Sequence, residues 1–251
     1  MLQSLCDTAF ALWPQPLPTR EQVAKAKIIA HRGLTGLSGD RENSLTSFRR
    51  CRDAGVWGVE LDVRWSQDNI PFVLHDEEPN RIYPKTKIKP SQENFSTLKK
   101  LCPDIPSLEQ VLDNCAGRTH LMIELKEPLD SERQERLKSL LDGFEACTDY
   151  HLLSLQPSFF RDLGGFPREA LILVALTNTR QISQEVLNQG YGGIAGHYVL
   201  INRRILKLHQ QRGHKVGVGF VASQNNLYRE LMRGIEWIFT NRAVVLQSYL
   251  D

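Results

Sequence analysis

Eight short apolar runs, most separated by amphipathic stretches of helical length, govern what this chain can fold into. The runs are KIIAHR (27–32), VELDV (59–63), HLMIEL (120–125), HLLSL (151–155), ALILVAL (170–176), GGIAG (192–196), KVGVGFV (215–221) and WIFTN (237–241). The intervening segments include ENSLTSFRRCRDAG, SLEQVLDNCAG, SERQERLKSLLDGFEAC, SFFRDLGG, QISQEVLNQG, NRRILKLHQQRG and NNLYRELMRG. Several close on glycine (Gly55, Gly117, Gly190, Gly213, Gly234), the residue that ends a helix most easily, and Asn43 stands where an N-cap is expected. Repeated strand–helix alternation predicts a parallel sheet. Eight units in 251 residues predict a closed (β/α)8 TIM barrel rather than an open doubly wound sheet. Neither GxGxxG nor GxxxxGK[ST] follows any strand, so nucleotide-binding sheets lose support.

One stretch interrupts the alternation. After GVELDVRW come SQDN and a second strand-like run, IPFVLHD, then a loop rich in proline and lysine to about residue 104. This reads as a hairpin extension of the second strand followed by an inserted excursion over 76–104. With a Pro-rich lead-in over 1–26 and no repeat or linker, the chain reads as one domain, 1–251. A net charge of +2 with no basic block argues against nucleic acid, so anion binding should be local. Five scattered cysteines without a CxxC pair read as reduced packing residues. The N-terminal apolar stretch contains Asp7 and no preceding basic residue, unlike a secretory signal. No run reaches the roughly 20 apolar residues that cross a bilayer. A soluble, cytoplasmic protein is expected.

In such a barrel the chemistry sits at the carboxyl ends of the strands. Strand one ends His31-Arg32-Gly33, the second carries Glu60 and Asp62, its extension ends His75-Asp76, and the third ends Glu124-Leu125-Lys126. Glu60 and Asp62 stand two apart, so strand alternation points both carboxylates to one side. With Glu124 they make three acids from adjacent strands, unfavourable when alone and favourable around a hard divalent cation, Mg²⁺ or Ca²⁺. The plainer alternative is salt bridging: Glu60 or Asp62 with Arg64, and Glu124 with Lys126. His31 and His75 each close a strand beside another charge and are suited to acid–base work. The remaining histidines (His120, His151, His197, His209, His214) read as packed or solvated. Arg32 and Lys126 add the positive charge that phosphate oxygens seek, although a carboxylate substrate would satisfy the same cations.

HRG (31–33), ENSLTSFRRCRDAGVWGVELDVRWSQDNIPFVLHD (42–76), IPSLEQVL (105–112) and IELK (123–126) resemble the glycerophosphodiester phosphodiesterase family. The resemblance is dense over 28–126 and thinner beyond. It implies a (β/α)8 barrel that uses a divalent metal to hydrolyse glycerophosphodiesters to glycerol 3-phosphate and an alcohol. It places general acid and base on His31 and His75, the metal carboxylates on Glu60, Asp62 and Glu124, and phosphate binding on Arg32 and Lys126. Glu42 matches a supporting residue on a neighbouring loop.

The sequence departs from the family pattern at Arg41, where proline is usual, and at Asn241, where aspartate is usual. It departs again at Gly219, Phe220 and Ala222, where the family tends to have a tryptophan, a threonine and an asparagine. An aromatic wall is thus lost at Gly219, and alternation predicts that Phe220, one place along, faces away and cannot replace it. Two further functions compete with this one. A lysophospholipase D or sphingomyelinase-like activity needs an apolar rim, for which the inserted loop offers only Ile82, Tyr83, Ile88 and Phe95. A non-catalytic barrel binding a phosphate-bearing ligand would be expected to lack an acid, base or ligand, and none of those positions is missing.

Overall fold

The computed structural model describes residues 10–34, 41–115 and 117–250. Eight parallel strands close into a barrel: β1 (Lys27–His31), β2 (Gly58–Trp65), β4 (His120–Leu125), β5 (Tyr150–Ser154), β6 (Leu171–Ala175), β7 (Gly193–His197), β8 (Lys215–Gly219) and β9 (Trp237–Thr240). β1 bonds to both β9 and β2, which leaves the barrel no open edge. The remaining strand, β3 (Pro71–Val73), runs antiparallel to β2 as the expected hairpin extension. The strand ends lie within one residue of those read from the sequence except at β8, which stops two earlier at Gly219, and at β2, which runs on two further to Trp65.

Helices follow the strands: α1 (Arg20–Lys25), α2 (Leu45–Asp53), α3 (Phe95–Leu101), α4 (Leu108–Cys115), α5 (Ser131–Leu140), α6 (Ser158–Arg161), α7 (Thr179–Gln189), α8 (Arg203–Gln210), α9 (Gln224–Met232) and α10 (Ala243–Gln247). Short polar caps start several of them: Asp130 accepts from the Arg133 N–H, Asn202 from Ile205 and Ser223 from Asn226. The cap of α2 is Ser44, not Asn43, whose backbone is left-handed at φ 55°. The five expected helix-ending glycines all have positive φ.

Two apolar layers hold the shell together, and a third packs the insertion. The helices bury one face against the outside of the barrel. Inside it, Ile29, Met122, Leu153, Ile172, Trp237 and Phe239 fill the bore. The 76–104 excursion is more ordered than a loop, because it contains α3 and a core of its own around Phe72, Leu74, Leu98 and Ile105. Ile82, Tyr83, Ile88 and Phe95 pack against that core, so they form no outward-facing rim.

The amino-terminal end of the bore is sealed by His120 and His151. The Thr148 carbonyl can only accept, so His120 Nδ1 donates to it at 2.8 Å, and His120 Nε2 then accepts from His151 Nδ1 at 2.8 Å. Trp57 stacks on His120 at 4.3 Å, and Trp237 meets His151 edge-on at 4.8 Å. His209 is likewise buried, bonded to Ser183 at 2.8 Å. Among the described residues Cys51, Cys102 and Cys115 are buried and Cys147 is exposed, and none of the four forms a disulfide with another; Cys6 lies outside the described residues. No helix among the described residues is long and apolar enough to cross a membrane.

Candidate active site

Strand register decides which side chains meet at the carboxyl end of the barrel. His31 lies beside Glu60 across β1 and β2, and Asp62 beside Glu124 across β2 and β4. One carboxylate oxygen from each of Glu60, Asp62 and Glu124 lies within 4.8 Å of the others. Burial raises the Asp62 carboxyl, but Lys126, Arg32 and the Asn43 amide at 2.8 Å outweigh it and hold the group below the usual carboxylate range. Burial, and then the charge of Asp62, push Glu60 well up and Glu124 up. Three acids cannot all remain ionised so close together without more positive charge.

The salt-bridge alternative accounts for part of this cluster. Lys126 Nζ lies 2.6 Å from Glu124 Oε1 and 3.2 Å from Asp62 Oδ1. Arg64 takes no part, since its guanidinium donates to the His75 carbonyl at 3.0 and 2.8 Å. Glu60 is the residue left over. Its Oε2 accepts the Arg32 backbone N–H at 3.0 Å, but Oε1 is buried with no partner. An orphaned carboxylate oxygen between two further acids fits a hard cation such as Mg²⁺ or Ca²⁺, which prefers an all-oxygen donor set.

Both candidate histidines are held through Nδ1. His31 Nδ1 lies 2.7 Å from Asn241 Oδ1, and His75 Nδ1 lies 2.8 Å from Asp76 Oδ1. Each bond leaves Nε2 free to exchange a proton, and that of His31 lies 3.9 Å from Glu60 Oε2. Burial lowers both imidazoles below the usual histidine range. The bond to Asn241 opposes this at His31, and Asp62 and Asp76 oppose it at His75.

Arg32 Nη1 bonds Glu42 at 3.1 Å, and Arg32 Nε lies 3.4 Å from Asp62. The positive φ of Arg32, 60°, turns the chain so that its backbone N–H reaches Glu60. Gly33 follows at φ 78°, where an added Cβ would run into the Ser47 hydroxyl, so the turn after β1 needs a glycine. Glu42 is shared with Arg81 of the insertion, which bonds both its oxygens and also Asp76 at 2.6 Å. One guanidinium thereby ties the partner of Arg32 to the partner of His75.

All eight residues read from the sequence come together: His31, Arg32, Glu42, Glu60, Asp62, His75, Glu124 and Lys126. The sequence reading missed Asn43, Arg81 and His197, and it misplaced Phe220. Phe220 lies beyond the end of β8 with φ 68°, which breaks strand alternation and turns the ring into the mouth. There it meets the His31 ring edge-on at 5.5 Å and lies 5.9 Å from that of His197. The aromatic face absent at Gly219 is thus supplied by the next residue. A cavity of about 520 Å³ opens over the cluster, ionic along β1, β2 and β4 and mostly apolar along β5 to β8.

A closed parallel barrel with ionisable side chains gathered at the carboxyl ends of its strands has the build of a barrel enzyme. Residues 31–151 match the model of the glycerophosphoryl diester phosphodiesterase family. A glycerophosphodiester phosphodiesterase of Bacillus altitudinis is 29% identical over 133 residues, 47% of this chain and 54% of that protein. The human glycerophosphodiester phosphodiesterase 1 is 31% identical over 123 residues, 42% of this chain and 36% of that protein. The chain thus spans about half, or less, of the length of these curated relatives. The fold matches a glycerophosphodiester phosphodiesterase of Thermotoga maritima with a TM-score of 0.74 at 21% identity, covering 89% of this chain and 98% of the other. It also matches an Oleispira antarctica phosphodiesterase in complex with sn-glycerol-3-phosphate, with a TM-score of 0.73 at 19% identity over 90% of this chain and 96% of that one. Over residues 31–151, just under half of its length, the chain is thus similar to the glycerophosphoryl diester phosphodiesterase family, a family of hydrolases.

Proposed function

We propose that this chain is a metal-dependent phosphodiesterase that hydrolyses glycerophosphodiesters to glycerol 3-phosphate and an alcohol. One observation carries the reading: at a single mouth an orphaned acid oxygen, two histidines held through Nδ1 and two cations converge. Glu60, Asp62 and Glu124 would hold one Mg²⁺ or Ca²⁺, which when bound neutralises phosphoryl charge and polarises the phosphorus centre.

The chain's own residues supply the rest. Arg32 and Lys126 bind the phosphoryl oxygens and orient the ester. Of His31 and His75, one takes the proton of the attacking group at Nε2 and the other gives a proton to the leaving alcohol; the attacker is water, or the glycerol's own 2-hydroxyl, which gives a cyclic phosphate that water then opens. Glu42 holds Arg32 in place. The domain is a single unit, 1–251, acting on small molecules in the cytoplasm without nucleic acid or membrane insertion.

The test is release of glycerol 3-phosphate from glycerophosphocholine and glycerophosphoethanolamine with added Mg²⁺ or Ca²⁺. Release that stops on chelation supports the reading. No release from a panel of such esters with either metal would overturn it.

A further inference from the structure

The mouth has two unlike halves, and a small polar diester explains only one. Opposite the ionic residues, Leu155, Leu176, Val199, Leu200, Phe220 and Phe239 line the other side of the same cavity. Leu176 is 63% exposed, Val199 42%, Phe220 39% and Leu200 37%. Four of the ten most exposed large hydrophobic side chains among the described residues thus rim this one opening. Contiguous exposed apolar surface next to a polar binding point marks a ligand with both characters. Two polar side chains share this half: Thr177 follows Leu176, and His197 accepts the Val199 N–H at Nδ1 and stacks on Tyr198 at 4.6 Å. Phe220 leaves the strand pattern and lies against His31, so the apolar wall is continuous with the reacting end.

We infer that the β5–β8 half of the mouth is a chain-binding subsite that takes an acyl or alkyl chain carried by the phosphodiester, entering as a single molecule. The inference rests on the proposed function, in which the ionic half binds the phosphodiester. It is strengthened by the insertion, whose apolar residues turn inward and, among the described residues, leave this rim as the apolar surface beside the site. The chain can be borne by the glycerol or by the leaving alcohol, and both offer the same chemistry to the wall.

The experiment compares kcat/KM, with Mg²⁺ present and below micelle-forming concentrations, across two series. One is 1-acyl-glycerophosphocholines from butanoyl to decanoyl, and the other is glycerophospho-n-alkanols of matching lengths. A rise of about threefold to fourfold per methylene is expected in one series, as for apolar surface leaving water, and the responding series identifies the bearer of the chain. Leu176→Glu with Val199→Glu, both at exposed positions, should flatten that rise.

A flat profile in both series while glycerophosphocholine is hydrolysed would overturn the inference and leave the phosphodiesterase standing. So would a rise confined to micellar substrate, which would mark surface contact. If no diester is hydrolysed, the proposed function fails, and calorimetry with hexyl to decyl phosphocholines judges the subsite alone. Affinity that climbs with chain length upholds it; chain-independent binding, or none, overturns it.

Discussion

His120 and Glu124 stand on one strand, four residues apart, and share one face of β4, so they occupy the two ends of the same bore. At the amino-terminal end His120 and His151 bond to each other and to Thr148 beneath two tryptophans, and burial drives their imidazoles down to about 4 and about 3. At the carboxyl end Glu124 joins two more acids under an open cavity, and one oxygen of Glu60 finds no partner. Both clusters are buried and both perturb their members strongly. What separates them is access and charge: the floor packs neutral rings under two tryptophans, whereas the mouth gathers three acids under an open cavity. Perturbed ionisation alone therefore does not mark a site here; converging charge beneath an open cavity does.

The sharpest break of this comparison is a pair of histidine substitutions. His31→Ala should lower turnover by about 10²–10⁴ while leaving the thermal midpoint nearly in place. His151→Ala should do the reverse, leaving turnover near its original level and costing about 2–3 kcal/mol through a lost buried hydrogen bond and a cavity against Trp237. Parallel kinetics and thermal melts of the two variants check both; turnover undiminished in His31→Ala would remove its proposed role.

The second test is pH. His120 and His151 stay neutral in the fold while the unfolded chain takes up protons below about 6.5. Stability should therefore fall as pH drops from about 6.5 toward 4 and 3, by several kcal/mol in all. Their stabilising effect is complete above that window, and a variant with both rings replaced should show a flatter profile in denaturant titrations. Glu60 and Glu124 have the opposite sign. Raised carboxyls favour the fold at low pH and lose that contribution as pH rises through the folded value. Added Mg²⁺ should remove this loss at the mouth and leave the floor unchanged.

A smaller effect is expected from Glu60→Gln. Without metal the variant should gain about 1–2 kcal/mol, because an uncompensated buried acid is neutralised, yet calorimetry should find weaker metal binding. Smallest is Arg81→Ala. Arg81 only steadies Glu42 and Asp76, so kcat/KM should drop about threefold to tenfold with partial rescue by lysine. An unchanged kcat/KM would mean that the insertion does not steady the site.

The barrel and the eight polar residues were legible because charge stands out in apolar strands, and because strand ends are where a closed barrel must expose it. Residues beyond the strands were harder. Asn43 has the sequence signature of a helix cap, but a left-handed turn hands that task to Ser44 and aims the amide at Asp62. Arg81 reaches Glu42 across 39 positions, a pairing no local pattern encodes. Phe220 was read as facing away because alternation was carried one residue past the true end of β8. The inserted helix α3 was hidden among prolines and lysines, and only its packing with Leu74 and Ile105 gives it a core.

Arg32 and Phe220 adopt backbone angles at the mouth that cost a residue other than glycine or asparagine about 1 kcal/mol or more each. A directed-evolution campaign that selected for heat resistance alone would find these positions early, since Phe220→Asn relaxes the backbone and gives up only a half-exposed ring's contacts with His31 and His197. Each such gain would erode grip on the substrate. The mouth is therefore where thermal selection and catalytic selection should pull this sequence apart first.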